Sequence, residues 1–204
     1  MIYYREAEQK DMENVAALHK QCFSEYFLTK LGTGLLSKYY GEYLSQEQPF
    51  VLAFDDEKKE NGGIIGLCLC YYKGCDARAQ FESKNKGALS KRLLKLCLKF
   101  DKDAITRCWA KIMPKKKSPE GEERKIMDVD LLSICVDADY RGKGVSSELV
   151  DRITELSKQK AKSPISKMIL YVNSDNDAAR KLYEKKGFTV FGSGETQTIY
   201  IKNI

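Results

Sequence analysis

Histidine is almost absent from this sequence, which has one, His19, among 204 residues, and none of its seven cysteines belongs to a CxxC pair. A recognisable zinc site needs several such ligands at short, fixed spacings, so we expect no metal site. An odd number of cysteines, several of them inside apolar runs, is typical of buried free thiols in a reducing compartment. A disulfide framework is therefore not expected.

Long apolar runs are also missing. No stretch approaches the roughly 20 apolar residues of a membrane span, and the N-terminus turns polar at once, unlike a signal peptide. The net charge is +6, but lysine and arginine are spread along the chain and no nucleic-acid-binding motif accompanies them. We therefore expect a cytoplasmic protein without membrane or nucleic-acid partners. The positive charge fits either a solvated lysine-rich surface or a preference for an anionic, nucleotide-bearing cofactor.

The spacing of apolar residues predicts a single α/β (α+β) domain over residues 1–204, with helices and strands in a mixed sheet. Residues 73–125 interrupt this pattern and are interpreted as a helical insertion, with irregular structure over 73–86 and a polar loop over 114–124. The predicted strands are 2–5, 50–54, 64–72, 127–136, 167–172, 188–191 and 197–201. The predicted helices lie near 11–23, from 33 onward, at 89–100, 105–112, 145–156 and 178–183.

The segment Asp-Tyr-Arg-Gly-Lys-Gly-Val-Ser at 139–146 joins an apolar strand to an amphipathic helix. N–H groups in the first turn of a helix have no intrahelical partner, and the helix dipole adds partial positive charge there. Gly142 and Gly144 let the backbone approach a ligand closely, while Arg141 and Lys143 contribute full charges. The segment therefore predicts a binding site for a pyrophosphate group.

Other nucleotide sites fit this segment less well. Gly142 and Gly144 begin a GxGxxG pattern, but Ser147 occupies its third glycine position. A Rossmann domain would also usually open the chain with this unit. A P-loop needs GxxxxGK followed by Ser or Thr, and the sequence lacks it.

A second block, Asn176-x-x-Ala179-x-x-x-Tyr183-x-x-x-Gly187-Phe188, follows about thirty residues later. In this order and spacing, the two blocks resemble the GNAT family of acetyl-CoA-dependent N-acetyltransferases. The first is similar to its signature [Arg/Gln]-x-x-Gly-x-[Gly/Ala], with the small residue Ser146 at the last position. The resemblance covers about 126–203 and is looser over 1–72. It implies a mixed, mostly antiparallel sheet of about seven strands flanked by helices, with the insertion between the third and fourth strands.

The resemblance further implies acetyl-CoA as co-substrate and assigns the residues that hold it. The main chain of Ile134, Cys135 and Val136 would pair with the pantetheine arm. Asn176 would hydrogen-bond that arm, and Asn173 would lie where the neighbouring strand separates from it. Arg141 would flank the pyrophosphate, which the main-chain N–H groups of the glycine loop would hold: Gly142, Lys143, Gly144, Val145 and Ser146.

The family also implies how catalysis would work. Tyr183 would protonate the departing thiolate, and a main-chain N–H near Cys135 or Val136 would polarise the thioester carbonyl. For the general base, Asp130 stands at the equivalent position on the strand before the loop, and Asp128 shares its face. The alternatives are that both acids are hydrogen-bonded or solvated near a strand end, and that Tyr183 belongs to the core.

The function implied is direct transfer of an acetyl group to a primary amine. The acceptor could be a polyamine or amino acid, an amino sugar, or a protein N-terminus or lysine. The alternative is a non-catalytic acetyl-CoA-binding or interaction module, with the inserted helices at 87–113 as the surface of a homodimer or other complex. His19 and Cys135 are expected to serve packing.

Overall fold

The structure of the protein is a computed structural model, and it describes residues 1–99, 101–102, 106 and 126–204. Within these residues it has seven strands and seven helices. The strands are β1 Ile2–Glu6, β2 Phe50–Asp55, β3 Ile64–Tyr72, β4 Val129–Val136, β5 Lys167–Asn173, β6 Thr189–Ser193 and β7 Gln197–Asn203. The helices are α1 Met12–Cys22, α2 Phe27–Lys30, α3 Thr33–Ser45, α4 Ala77–Lys84, α5 Lys86–Leu98, α6 Val145–Lys160 and α7 Asp177–Lys185.

The seven strands form one sheet in the order β1-β2-β3-β4-β5-β7-β6. Every neighbouring pair is antiparallel except β4 and β5, which are parallel. The predicted single domain with a mixed, mostly antiparallel seven-stranded sheet is therefore confirmed as a fold. Within the described residues, no helix is long and apolar enough to cross a bilayer.

Helices cover both faces of the sheet. One face packs against α6 and α7 through residues such as Leu149, Ile153 and Tyr183, and the other packs against α1, α3 and α4. The central strand β3 is apolar along nearly its whole length because it is buried on both faces. Each large apolar side chain buried in these layers stabilises the fold by roughly 1.5–3 kcal/mol.

The insertion between β3 and β4 is helical in its first part. The sequence predicts irregular structure over 73–86, which is wrong: α4 forms there, because Ala77 and Phe81, four residues apart, are both buried. Phe81 meets the ring of Tyr39 on α3 edge-on, with ring centroids 5.4 Å apart. The predicted helix at 105–112 and the loop at 114–124 fall outside the residues that the structure describes, Thr106 excepted.

A β-bulge in β4 lies where this strand separates from β5. Leu69 of β3 is opposite Ser133, and the next residue, Cys70, is opposite Leu131, so Leu132 is an extra residue. The parallel pairing with β5 covers only three positions and ends at Leu131. Beyond the bulge β4 continues beside β3, whereas β5 continues beside β7. The two strands therefore separate and leave a gap in the middle of the sheet.

Candidate active site

The main chain of β4 lines this gap. Asp137 N–H donates to the carbonyl of Ile65 on β3 at 2.8 Å. Because main-chain groups alternate along an antiparallel strand, those of Cys135 face β3, and those of Ile134 and Val136 face the gap. Of the three residues predicted to pair with pantetheine, two therefore present main-chain groups to the gap. The predicted thioester-polarising donor can be Val136, but not Cys135.

The glycine loop lies at the end of β4, beside the gap. Gly142 and Gly144 have φ angles of +76° and +84°, which side-chain-bearing residues rarely adopt. A Cβ built on either glycine would meet no protein atom within 4 Å, so the space above the loop is open. Gly144 is the N-cap of α6, and the N–H groups of Val145 and Ser146 belong to its first turn. This open cradle fits a phosphate group.

Two cations adjoin the cradle. Arg141 Nε donates to the carbonyl of Val136 at 3.2 Å, which places its guanidinium between the gap and the loop. The ammonium of Lys143 lies 4.9 Å from the ring centroid of Tyr140. Together with the dipole of α6, these charges favour an anion at the loop.

The two asparagines occupy the opposite side of the gap. Asn173 ends β5, and its Nδ2 donates to the hydroxyl of Tyr26 at 3.1 Å. Asn176 is the N-cap of α7, and its Oδ1 accepts from the N–H of Ala179 at 3.1 Å. Asn176 thus has a structural task, and its Nδ2 is the group that can donate to a ligand.

The two acids differ in their surroundings. Asp128 Oδ2 accepts from Ser166 N, Ser166 Oγ and Lys167 N at 2.7–3.0 Å, which fastens the start of β5. Burial opposes its charge, but these hydrogen bonds keep the pKa of Asp128 below its ordinary value. Asp130 is nearer the gap along β4, is 5% exposed, and accepts a hydrogen bond from the Tyr71 hydroxyl at 2.9 Å. Its position suits a base better than that of Asp128.

Tyr183 lies on α7 and is 5% exposed. Its ring packs against those of Phe188 and Tyr200, with centroids 5.7 and 6.2 Å away. Burial raises the pKa of Tyr183, so the hydroxyl keeps its proton at neutral pH. The side chain is part of the core, as the alternative interpretation expected, and it also carries the proton that an acid needs.

A search with family profiles matches residues 12–188 to the Acetyltransferase (GNAT) family. The chain belongs to the GNAT family. The match spans most of the sequence and includes both blocks that carry the resemblance. A search of curated proteins found no match.

Solved structures share the GNAT fold. An N-acetyltransferase from Staphylococcus aureus Mu50 is 13% identical, with a TM-score of 0.60, covering 100% of this chain and 98% of that chain. The paia N-acetyltransferase from Thermoplasma acidophilum, in complex with coenzyme A, is 15% identical with a TM-score of 0.54 and coverages of 100% and 99%. The yncA protein from Salmonella typhimurium, with its cofactor acetyl-CoA, is 15% identical with a TM-score of 0.57 and coverages of 99% and 93%.

Two residues that contact the end of β4 could not be identified from the sequence. The Cys22 thiol, at the end of α1, lies 3.6 Å from the carbonyl of Val136. Lys58, in the polar connection between β2 and β3, forms an ion pair with Asp137 at 2.6 Å. Both contacts join residues far apart in sequence, which apolar spacing and short motifs do not report.

Proposed function

We propose that the chain is an N-acetyltransferase that transfers the acetyl group of acetyl-CoA to a primary amine by direct attack. The observation that carries this proposal is the gap between β4 and β5, which opens directly beside the glycine loop and the first turn of α6. A stretch of β4 main chain that β5 does not pair with and a cradle for phosphates thus lie next to each other. Membership of the GNAT family and the relatives with coenzyme A or acetyl-CoA support the same cofactor.

The geometry supports the cofactor-binding residues that the family resemblance implies. The main-chain N–H groups of residues 142–146 would bind the pyrophosphate, with Arg141 and Lys143 beside it. Ile134 and Val136 would pair with the pantetheine arm, and the side-chain amides of Asn173 and Asn176 would donate to it from the other side of the gap. Bound acetyl-CoA would supply an acyl thioester. The residues of the chain would orient this thioester, stabilise the negative charge that develops on its carbonyl oxygen, and transfer protons.

Three groups would manage that chemistry. A gap-facing N–H of β4 would donate to the thioester carbonyl oxygen, and removal of such a donor typically costs about 3–4 kcal/mol of barrier lowering. Asp130, directly or through water, would take a proton from the acceptor, since an alkyl amine has a pKa of about 10.4. Tyr183 would give its proton to the departing thiolate, whose thiol pKa of about 8.5 makes this acid helpful rather than essential.

The first test is isothermal titration of acetyl-CoA into the protein, with ATP and NADH as controls. We expect saturable binding of acetyl-CoA alone. Gly144→Glu should abolish binding because it adds a negative charge to the cradle and strains a positive φ. Gly144→Ala is the matched control for strain alone and should bind more weakly than wild type but measurably. Absence of binding by wild type would contradict the proposal.

The second test separates catalysis from binding. Thiol release is followed with a panel of polyamines, amino acids, amino sugars and peptides with free N-termini or lysines. Tyr183→Phe should lower kcat while leaving the Kd for acetyl-CoA within about twofold. Tight binding without thiol release for any amine would instead support a non-catalytic acetyl-CoA-binding module.

The remaining expectations from the sequence stay predictions. They are a cytoplasmic location, the absence of nucleic-acid and membrane partners, and a homodimer through the inserted helices. Part of the segment predicted to form these helices lies outside the residues that the structure describes. The single domain over 1–204 is likewise a prediction.

A further inference from the structure

The connection between β2 and β3, residues 56–63, reaches across to the glycine loop. Its Lys58 ammonium donates to Asp137 Oδ2 at 2.6 Å, and the side chains of Lys58 and Asp137 are only 9% and 2% exposed. Little solvent screens a pair at this depth, and each charge depends mainly on the other for compensation. The exposed Glu60 carboxylate lies 3.9 Å from the Lys58 ammonium, and Arg141 adds a favourable charge interaction with Asp137. Removal of one partner would therefore leave an uncompensated buried charge, which is far more costly than the loss of an exposed ion pair.

Asp137 directly follows β4 and begins the turn that leads to the glycine loop. Its main-chain N–H is bonded to Ile65 on β3, and its Oδ1 accepts from the N–H of Asp139 at 3.0 Å. Burial opposes the charge of this carboxylate, but the bonds from Lys58 and Asp139 hold the pKa of Asp137 below its ordinary value. Asp137 thus stays ionised and fixes the turn that leads into Gly142.

A second bond supports the same loop. The hydroxyl of Tyr140 donates to Asp55 Oδ2, at the end of β2, at 2.7 Å. The ring of Tyr140 is flanked by two ammonium groups, those of Lys143 at 4.9 Å and Lys58 at 5.6 Å from its centroid. Asp55 therefore orients the ring that holds Lys143 beside the cradle.

We propose that Lys58 is a positioning residue for cofactor binding: it holds the glycine loop in its phosphate-binding shape through Asp137, with Asp55 and Tyr140 as a second support. This inference rests on the proposed function. Lys58 acts through Asp137 and not as a phosphate ligand, since its ammonium is already paired with that carboxylate. Without Lys58, the buried Asp137 carboxylate beside the phosphate site loses its ion-pair partner, only Arg141 offsets its charge, and it repels the ligand. The ion pair involves neither Asp130 nor Tyr183, the proposed base and acid, so chemistry after binding should persist.

The test compares Lys58→Met with Lys59→Met, which removes the exposed neighbouring lysine from the same connection. For Lys58→Met we expect the Kd of acetyl-CoA and its KM to rise about tenfold or more, with kcat within about threefold of wild type. Lys59→Met should behave as wild type. Lys58→Arg keeps a cation in reach of Asp137 and should restore most of the affinity.

Two controls make the outcomes distinct. Thermal unfolding without cofactor shows whether Lys58→Met is folded; if it is not, Tyr140→Phe decides, because it removes the bond to Asp55 while keeping the ring and adding no buried charge. We expect Tyr140→Phe to raise the Kd about threefold. If the folded Lys58→Met protein, or Tyr140→Phe in its place, binds acetyl-CoA like wild type, this inference is overturned while the proposed function stands. If wild type does not bind, both fail.

Discussion

Asp128 and Asp130 are only two residues apart, but their hydrogen-bond partners suit them to different roles. Asp128 accepts three hydrogen bonds at the closed end of the β4–β5 pairing. Asp130 accepts from a tyrosine hydroxyl nearer the gap. The sequence placed both acids on one strand but contained no information about these partners, because Ser166 and Tyr71 lie 38 and 59 residues away.

From these surroundings we predict that substitution of Asp130 affects the rate and substitution of Asp128 affects stability. Asp130→Asn should lower kcat/KM for the acceptor by about 10²–10⁴-fold because a general base is lost, with little change in acetyl-CoA binding. Asp128→Ala should leave the rate nearly unchanged and lower the free energy of unfolding by about 1–2 kcal/mol, since three donors lose their acceptor. Steady-state kinetics and denaturant unfolding measure the two effects. Equal rate losses in both variants would refute the assignment of the base.

At the scale of elements, helices and strands were predictable where apolar spacing was regular. The strand at 64–72 and the helix beginning at Thr33 match the structure, and Gly187, with a φ of +80°, lies just after α7, where glycine commonly ends a helix. The gap was not predictable from spacing. The apolar run around Leu132 continues through the bulge, and only its partners β3 and β5 reveal that the pairing divides there. The family resemblance alone anticipated that the strands separate.

The N-cap of α7 gives a prediction at this scale, because the side chain of Asn176 both caps the helix and is proposed to bind the cofactor. Asn176→Ala should lower the free energy of unfolding by about 1 kcal/mol through loss of the cap, and should also weaken acetyl-CoA binding. Asn176→Asp is the matched variant: it keeps an oxygen that caps Ala179 N–H but has no amide donor. We expect Asn176→Asp to restore stability and not affinity, measured by thermal unfolding and titration. Restored affinity would exclude Asn176 Nδ2 from cofactor binding.

At the scale of the whole molecule, the sequence alone predicted the class of fold and the glycine turn between β4 and α6. Both depend on short-range features: apolar spacing, glycines in a strand–helix turn, and two blocks of fixed spacing. What supports the cradle depends instead on the folded chain, because Lys58 and Asp137 are 79 residues apart. Surface composition is no guide here either, since the net charge of +6 does not show which lysine is buried.

The single histidine, His19, allows the packing of α1 against α3 to be tested by its pH dependence. His19 is 5% exposed, its Nδ1 lies 2.6 Å from the Tyr40 hydroxyl, and within the described residues its Nε2 has no hydrogen-bond partner. Burial lowers the pKa of His19 from 6.5 to about 4. Between these values the unfolded chain binds a proton that the folded chain does not. The stability contributed by neutral His19 is therefore complete above pH 6.5 and falls as the pH drops toward 4.

The size of that loss follows from the shift. From pH 6.5 to 5, wild type should lose about 1.6 kcal/mol more of its free energy of unfolding than His19→Gln, which cannot titrate there. No other histidine is present, and the carboxylates titrate alike in both proteins, so the difference between the two denaturant-unfolding profiles isolates this residue. Parallel profiles would mean that His19 is protonated as readily in the fold as in water, and hence that α1 does not bury it against α3 in solution.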